Sequence, residues 1–386
     1  MAPIITMPRL MAVGGGALAE LAGILLRLGL TKPLVVTDPF LVHSGHLDRA
    51  TAILDRAGIP WRVFADTVAD PTTAVVETGT RRLAEDSYDS LVAIGGGSSI
   101  DTAKAMSVLA ANGGRMRDHK VPAEIPKAGL PLVAIPTTAG TGSEVTRFTV
   151  ITDTETDEKM LIAGLACCPI AAIVDYELTL TMPLRLTADT GLDSLTHAIE
   201  AYVSRRANSF TDGLAKNAMG LIARHIRTAC AEPDNRAARE AMMLGATTAG
   251  MAFSNASVAL VHGMSRPIGA FFHVPHGLSN AMLLPEITAF SAPTALERYA
   301  DCSRAMGVAE EGEGSQAAVA RLLDELQRLN ADLQVPTPRA WGIDAGRYEE
   351  LLPVMASQAL ASGSPANNPR VPSNDEIIDL YRRVYG

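Results

Sequence analysis

LVAIGGGSSIDTAK, Leu91 to Lys104, runs from an apolar, β-branched segment straight into a glycine triplet and then into a helical pattern. The first N–H groups of a helix have no partner within it, and the helix dipole leaves that end positive. With glycines to let the backbone come close, a strand, loop and helix in this order form an anion site of the kind that binds a pyrophosphate. The spacing departs from the G-x-G-x-x-G fingerprint, so the triplet carries less weight than that motif would. Asp101 and Lys104 lie one turn apart on the helix and read as a solvated pair.

Similar runs lie on either side. PLVVTD (Pro33 to Asp38), LVAIPTT (Leu132 to Thr138) and AAIVD (Ala171 to Asp175) are apolar on both faces, the pattern of strands covered by helices above and below. They predict a parallel sheet in a layered α/β domain. Asp38 ends the first of these runs, and an acid there either binds an adenine-ribose diol, favouring NAD(H) over NADP(H), or is a turn residue before Pro39. PTTAGTGSEVT offers Thr137, Thr138, Thr141 and Ser143 among glycines, either for phosphate, ribose and amide contacts or as an ordinary polar loop. A second triplet, Gly14 to Gly16, has no convincing strand leading into it and reads as turn structure.

After Thr181-Met182-Pro183 the strand signals end and helical patterns continue, as in Gln316 to Leu333, where Val319, Leu322, Leu323, Leu326 and Leu329 form one stripe. Two domains follow, an α/β domain over 1–181 and an all-α domain over 182–386. The helical part holds a second constellation. In TADTGLDSLTHAIEAYVS, with Thr187 as the expected N-cap, Asp193 and His197 are i and i+4 on one helical face. In HGMSRPIGAFFHVPHG the glycines and prolines permit a helix end and a bent loop that returns His276 toward His262. Three imidazoles and a carboxylate suit Fe²⁺ or Zn²⁺, between which the residues alone do not choose.

The bulk properties narrow the class. A chain of 386 residues with 47% hydrophobic content is that of a folded enzyme of more than one core. Its net charge of −9, without a basic run, argues against nucleic acid and anionic membrane as partners. Cys167, Cys168, Cys230 and Cys302 form no C-x-x-C pair and read as buried thiols of a reducing compartment. The apolar N-terminal stretch is interrupted by Glu20 and Arg27, so it reads as an amphipathic helix and the protein as cytoplasmic.

With GGGSSIDTAK, PTTAGTGSEVT, DSLTHAIEAY and HGMSRPIGAFFHVPHG in one order, the chain resembles the iron-containing (group III) alcohol dehydrogenases over essentially its whole length. The resemblance implies a dehydroquinate synthase-like fold, with a Rossmann-like NAD-binding domain and a helical domain that binds a divalent metal, Fe²⁺ first and Zn²⁺ second. It carries the metal role onto Asp193, His197, His262 and His276. The NAD role falls on Asp38, Gly96, Gly97, Ser98, Thr137, Thr138 and Thr141, with Lys159 and Leu178 at the nicotinamide end. It also implies a homodimer or larger homo-oligomer. Many members have a His four residues after the third ligand; here Arg266 stands there, and His273 is either the replacement in the proton relay or a cleft-lining residue. Arg266 either reads an anionic group on the substrate, or pairs with an acid or lies at the rim. The expected reaction interconverts a small alcohol and its aldehyde or ketone with NAD(H). The rivals are a dehydroquinate synthase-like or glycerol dehydrogenase-like enzyme on the same fold and a non-catalytic NAD(H) or metal sensor.

Overall fold

A computed structural model of the chain describes residues 2–156 and 158–386. It divides into two compact units, one of Ile4–Thr181 and the other beginning at Met182 and ending at Gly386.

In the first unit the chain runs β1 (Leu10–Val13), α1 (Leu21–Arg27), β2 (Pro33–Val36), α2 (Pro39–His43), α3 (His46–Arg56), β3 (Arg62–Phe64), α4 (Thr73–Ala84), β4 (Ser90–Gly95), α5 (Gly97–Asn112), β5 (Leu132–Pro136), β6 (Phe148–Asp153), β7 (Glu158–Ala163) and β8 (Ala171–Val174). Six strands form one parallel sheet in the order β1-β8-β5-β4-β2-β3, and β6 and β7 pair separately as an antiparallel ribbon. Alternate side chains of the central strands feed two cores. Leu34, Val36, Leu91 and Ala93 pack with Val76, Ile100 and Met106 of α4 and α5. Val35, Val92 and Ile94 pack with Leu21, Leu25 and Leu54 of α1 and α3. Burial on both faces is the reason these runs lack polar alternation. From β2 the chain moves outward to β3, whereas from β4 it moves the other way to β5, so the order reverses between β2 and β4. Doubly wound sheets bind ligands outside the carboxyl ends of the strands at such a reversal.

The second triplet needs a correction. A strand does lead into it: β1 pairs with β8, but as an edge strand it is only half-buried and shows little apolar signal. The loop is still no anion site, because the Asp175 carboxylate accepts from Gly16 N at 3.1 Å and Leu18 N at 3.0 Å. The negative charge that such a loop attracts is already supplied by the protein. The solvated Asp101–Lys104 pair is also overturned. Lys104 is fully buried and donates to the carbonyls of Thr146 (3.0 Å) and Phe148 (2.7 Å), while Asp101 accepts from Ser143 Oγ (2.6 Å) and Val150 N (2.9 Å). Both residues tie α5 to the segment around β6, which the periodicity of α5 alone does not reveal.

The second unit runs α6 (Leu184–Val203), α7 (Ser209–Ala231), α8 (Arg236–Ala256), α9 (Leu260–Phe272), α10 (His276–Ser291), α11 (Leu296–Ala305), α12 (Ser315–Asp332), α13 (Pro338–Trp341), α14 (Ala345–Ala361) and α15 (Asn374–Tyr385). α6 is its central helix, buried almost continuously from Thr187 to Val203 and packed against α7, α8 and α10. It begins earlier than expected. Pro183 precedes the first turn, and Thr187 lies inside the helix, where its hydroxyl accepts from Arg239 at 2.8 Å. Among the described residues no single helix is long and apolar enough to cross a membrane, and none of the four cysteines is in a disulfide. Cys167, Cys230 and Cys302 are buried; Cys168 is only half-buried.

Candidate metal centre and nucleotide loops

α6, α9 and α10 bring together the donors expected to hold a metal. One ligand atom each from Asp193, His262 and His276 lies within 4.8 Å of the other two. Asp193 Oδ1 is 3.4 Å from His262 Nε2 and 3.8 Å from His276 Nε2. His197 stands beside this trio. Its Nε2 is 3.9 Å from Asp193 Oδ1, and its ring is sandwiched between Phe253 (centroids 4.2 Å apart) and His262 (4.4 Å). Asp193, His197 and His262 are buried, whereas the His276 side chain is 39% exposed, so the cluster is reached from the His276 side.

The local sequence explains how these side chains meet. His262 falls in the first turn of α9, and His273, in the left-handed conformation with φ 53°, ends that helix. Pro275 then precedes α10, whose first residue is His276. At Gly277 a Cβ would lie 2.4 Å from the carbonyl oxygen of Asp189, so only glycine lets α10 start directly against α6. α9 begins at Leu260, three residues after Ser257, which with φ 68° ends α8.

Two residues complete the cluster that the sequence reading did not single out. Glu200, buried on α6, accepts from Nδ1 of His262 (2.7 Å) and from the backbone N–H groups of Ala259 (2.9 Å) and Val261 (2.6 Å). Because a carboxylate only accepts, Nδ1 carries a proton toward Glu200, and Nε2, on the side of Asp193, would become the lone-pair donor once an ion displaces its proton. Asn280, one turn into α10, sets its Nδ2 2.7 Å from Asp193 Oδ1 and 3.2 Å from Nε2 of both His262 and His276. The signal for Glu200 was an acid in an otherwise apolar helix one turn from His197, since an acid buried there needs a partner. For Asn280 it was the i+4 spacing from His276.

Electrostatics favour a cation in this cluster. Burial alone would raise the Asp193 carboxyl, but the neighbouring imidazoles outweigh it and hold the group well below the usual carboxylate range. Burial lowers His262, yet Asp193 and Glu200 on its two sides carry it up to about 9. Two buried carboxylates are balanced by positive charge, and a divalent ion among oxygen and imidazole donors meets that demand.

In the first unit the expected nucleotide residues gather at the reversal point of the sheet. Gly96 precedes α5, Gly97 and Ser98 open it, and Thr137, Thr138 and Thr141 follow β5 next door. A Cβ at Gly97 would sit 2.7 Å from Thr141 Cγ2, so the two loops touch with no room for a side chain between them. Asp38 is half-buried at the end of β2. One oxygen caps α2 through Leu41 N (3.0 Å), and the other faces Ser99 Oγ at 3.4 Å, beside the glycine loop. Of the other two expected members, Lys159 on β7 is ion-paired with Asp70 at 2.8 Å, and Leu178 is buried in the core around α1. His273 is exposed in the turn before α10. Arg266 is half-buried on α9 and, among the described residues, has no hydrogen bond or ion pair, so its expected pairing with a nearby acid is not observed.

Comparison with known proteins agrees with these features. Residues 8–176 match the family described as iron-containing alcohol dehydrogenase, and residues 187–385 match the C-terminal part of the Fe-containing alcohol dehydrogenase family. The chain is 37% identical over 377 residues to the NAD-dependent methanol dehydrogenase of Bacillus methanolicus, covering 98% of each protein. It is 38% identical over 374 residues to the lactaldehyde reductase of Escherichia coli strain K12, covering 96% of this chain and 97% of that one. The crystal structure of a 1,3-propanediol oxidoreductase superposes with a TM-score of 0.95 at 34% identity, over 100% of both chains. With both halves matched and the relatives aligned along nearly the whole length, the chain belongs to the iron-containing alcohol dehydrogenase family.

Proposed function

We propose that this chain interconverts a small alcohol and its aldehyde or ketone, using NAD(H) and a divalent metal, Fe²⁺ before Zn²⁺. The observation that carries the reading is the convergence of Asp193, His262 and His276 on one point, open on the His276 side. His197 is assigned as the fourth ligand because its Nε2 already lies beside Asp193. When bound, the ion supplies Lewis acidity that makes an alcohol proton easier to lose, and nicotinamide supplies the hydride carrier.

The residues of the chain do the rest. Glu200 fixes the His262 tautomer, and Asn280 donates to Asp193, so both hold ligand atoms in place. The N-terminus of α5, with Gly96, Gly97 and Ser98, receives the pyrophosphate of the nucleotide. Thr137, Thr138 and Thr141 supply hydroxyls next to it, and Asp38 accepts from the adenine-ribose hydroxyls. Lys159 and Leu178 are assigned to the nicotinamide end by family resemblance alone. His273, exposed three residues before His276, is assigned to pass the alcohol proton to solvent. Family resemblance also supports a homodimer or larger assembly, and four unpaired thiols fit a cytoplasmic enzyme.

The test is NADH absorbance with metal-loaded protein and a panel of primary alcohols and aldehydes, run beside His262→Ala and His276→Ala. Turnover in the parent, with loss of bound metal and of nearly all turnover in folded variants, is the expected result. Full metal content and parental turnover in either variant removes that histidine from the ligand set.

A further inference from the structure

We propose that Arg266 makes this site select substrates that carry an anionic group, a carboxylate, sulfonate or phosphonate, a short distance from the reacting carbon. The proposal rests on the alcohol–aldehyde reading above and names its substrate class.

Arg266 follows His262 by one turn of α9, so the two side chains leave the helix on the same face. The residue is half-buried and, among the described residues, its guanidinium meets no hydrogen-bond acceptor and no carboxylate within ion-pair distance. Withdrawing an arginine from water without a partner is costly, and proteins ordinarily offset that cost with a bidentate acid. Glu200 is the acid whose charge reaches Arg266, but its oxygens are already engaged by Ala259 N, Val261 N and His262 Nδ1. Burial draws the guanidinium down to about 10, with Glu200 opposing only in part, while its unpartnered nitrogens still reach solvent, from where the oxygens of a ligand can meet them.

The charges of the loaded cluster point the same way. Asp193 and Glu200 are cancelled by a divalent ion, and the imidazoles that hold an ion are neutral, so Arg266 leaves one positive charge over. A substrate with a single negative charge neutralises it. The guanidinium presents parallel N–H donors that match two oxygens of a carboxylate, sulfonate or phosphonate. A neutral alcohol of the same length leaves those donors unmet.

The test compares metal-loaded parent, Arg266→Gln and Arg266→Lys. NADH-linked kcat/KM is measured for 4-oxobutanoate and butanal, which share a carbon count. Calorimetric titration with 4-hydroxybutanoate and 1-butanol, without nucleotide, reads the same contact independently of hydride transfer. The parent is expected to favour the acid in both ratios. Arg266→Gln should lower each acid-to-neutral ratio by roughly ten- to a hundredfold, and Arg266→Lys should recover part of it, since the charge stays and the fork is lost. Structural damage alone lowers both arms together and leaves the ratios where they were; that result overturns the proposal. A parent that binds and turns over butanal at least as well as 4-oxobutanoate overturns it too. If no compound is turned over but the binding ratio still favours the acid and collapses in Arg266→Gln, the dehydrogenase reading fails and the anion site stands.

Discussion

Glu200 Oε2 and His262 Nδ1 are 2.7 Å apart, and the same carboxylate closes the first turn of α9 through Ala259 N and Val261 N. One buried acid therefore sets the position of a helix and the orientation of an imidazole on that helix that is proposed as a metal ligand. The two tasks are coupled, because the backbone bonds fix where the carboxylate sits and so which way the ring turns. Partners of this kind typically carry ten- to a hundredfold in metal affinity.

Replacing Glu200 by Gln keeps the volume but removes the charge and one acceptor oxygen. Metal affinity of Glu200→Gln should fall by about ten- to a hundredfold. The measurement is metal retention against a graded chelator, read by elemental analysis, with circular dichroism to verify the helices. Retention equal to the parent's confines Glu200 to holding the start of α9.

The contrast between Glu200 and the four expected ligands shows what a sequence exposes. Asp193, His197, His262 and His276 were legible because few histidines occur in the chain and these stand at helical spacing or beside glycines. Glu200 and Asn280 lie in the same motifs, yet their roles depend on which helix each faces, and that is a tertiary fact. The sheet behaved likewise. Strands buried on both faces announce themselves as apolar runs, whereas β1 and β3 are short and partly exposed, and β6 and β7 alternate in burial around a turn. Gly14 to Gly16 and Gly95 to Gly97 look alike on paper. They differ because Asp175, far along the chain but just beyond the strand paired with β1, accepts from the backbone N–H groups of the first loop, while at the second Gly97 abuts Thr141.

Asp38 leads to a prediction about cofactor choice. Its carboxylate stands at the end of β2 beside the glycine loop, and the role proposed for it is to accept from ribose hydroxyls and repel a 2′-phosphate. Asp38→Gly should reduce the ratio of kcat/KM for NADH over NADPH. Replacing the α2 cap by Gly should also cost roughly a few tenths of a kcal/mol of stability, so the ratio and not the absolute rate is the readout. A parent that uses both cofactors equally contradicts the assignment before any variant is made.

His46 makes stability depend on pH in a predictable direction. The ring is buried at the start of α3, with Nε2 3.3 Å from the carbonyl oxygen of Leu178 and Nδ1 2.8 Å from Ser44 Oγ. A carbonyl only accepts, so Nε2 carries the proton and Nδ1 accepts from the serine hydroxyl. Protonating Nδ1 would turn that hydroxyl away and place a cation near Arg49. Burial lowers the His46 value below its ordinary 6.5; the Leu178 bond opposes this, Arg49 adds to it and Asp38 opposes it. The unfolded chain therefore binds the proton more readily than the folded one. The neutral ring's contribution is fully present above 6.5 and is lost as the pH falls through 6.5 toward the lower folded value. Urea unfolding at about pH 7.5 and about pH 5.5 should show a larger loss in the parent than in His46→Gln, which cannot titrate there. An identical drop in both proteins assigns the acid sensitivity to other groups.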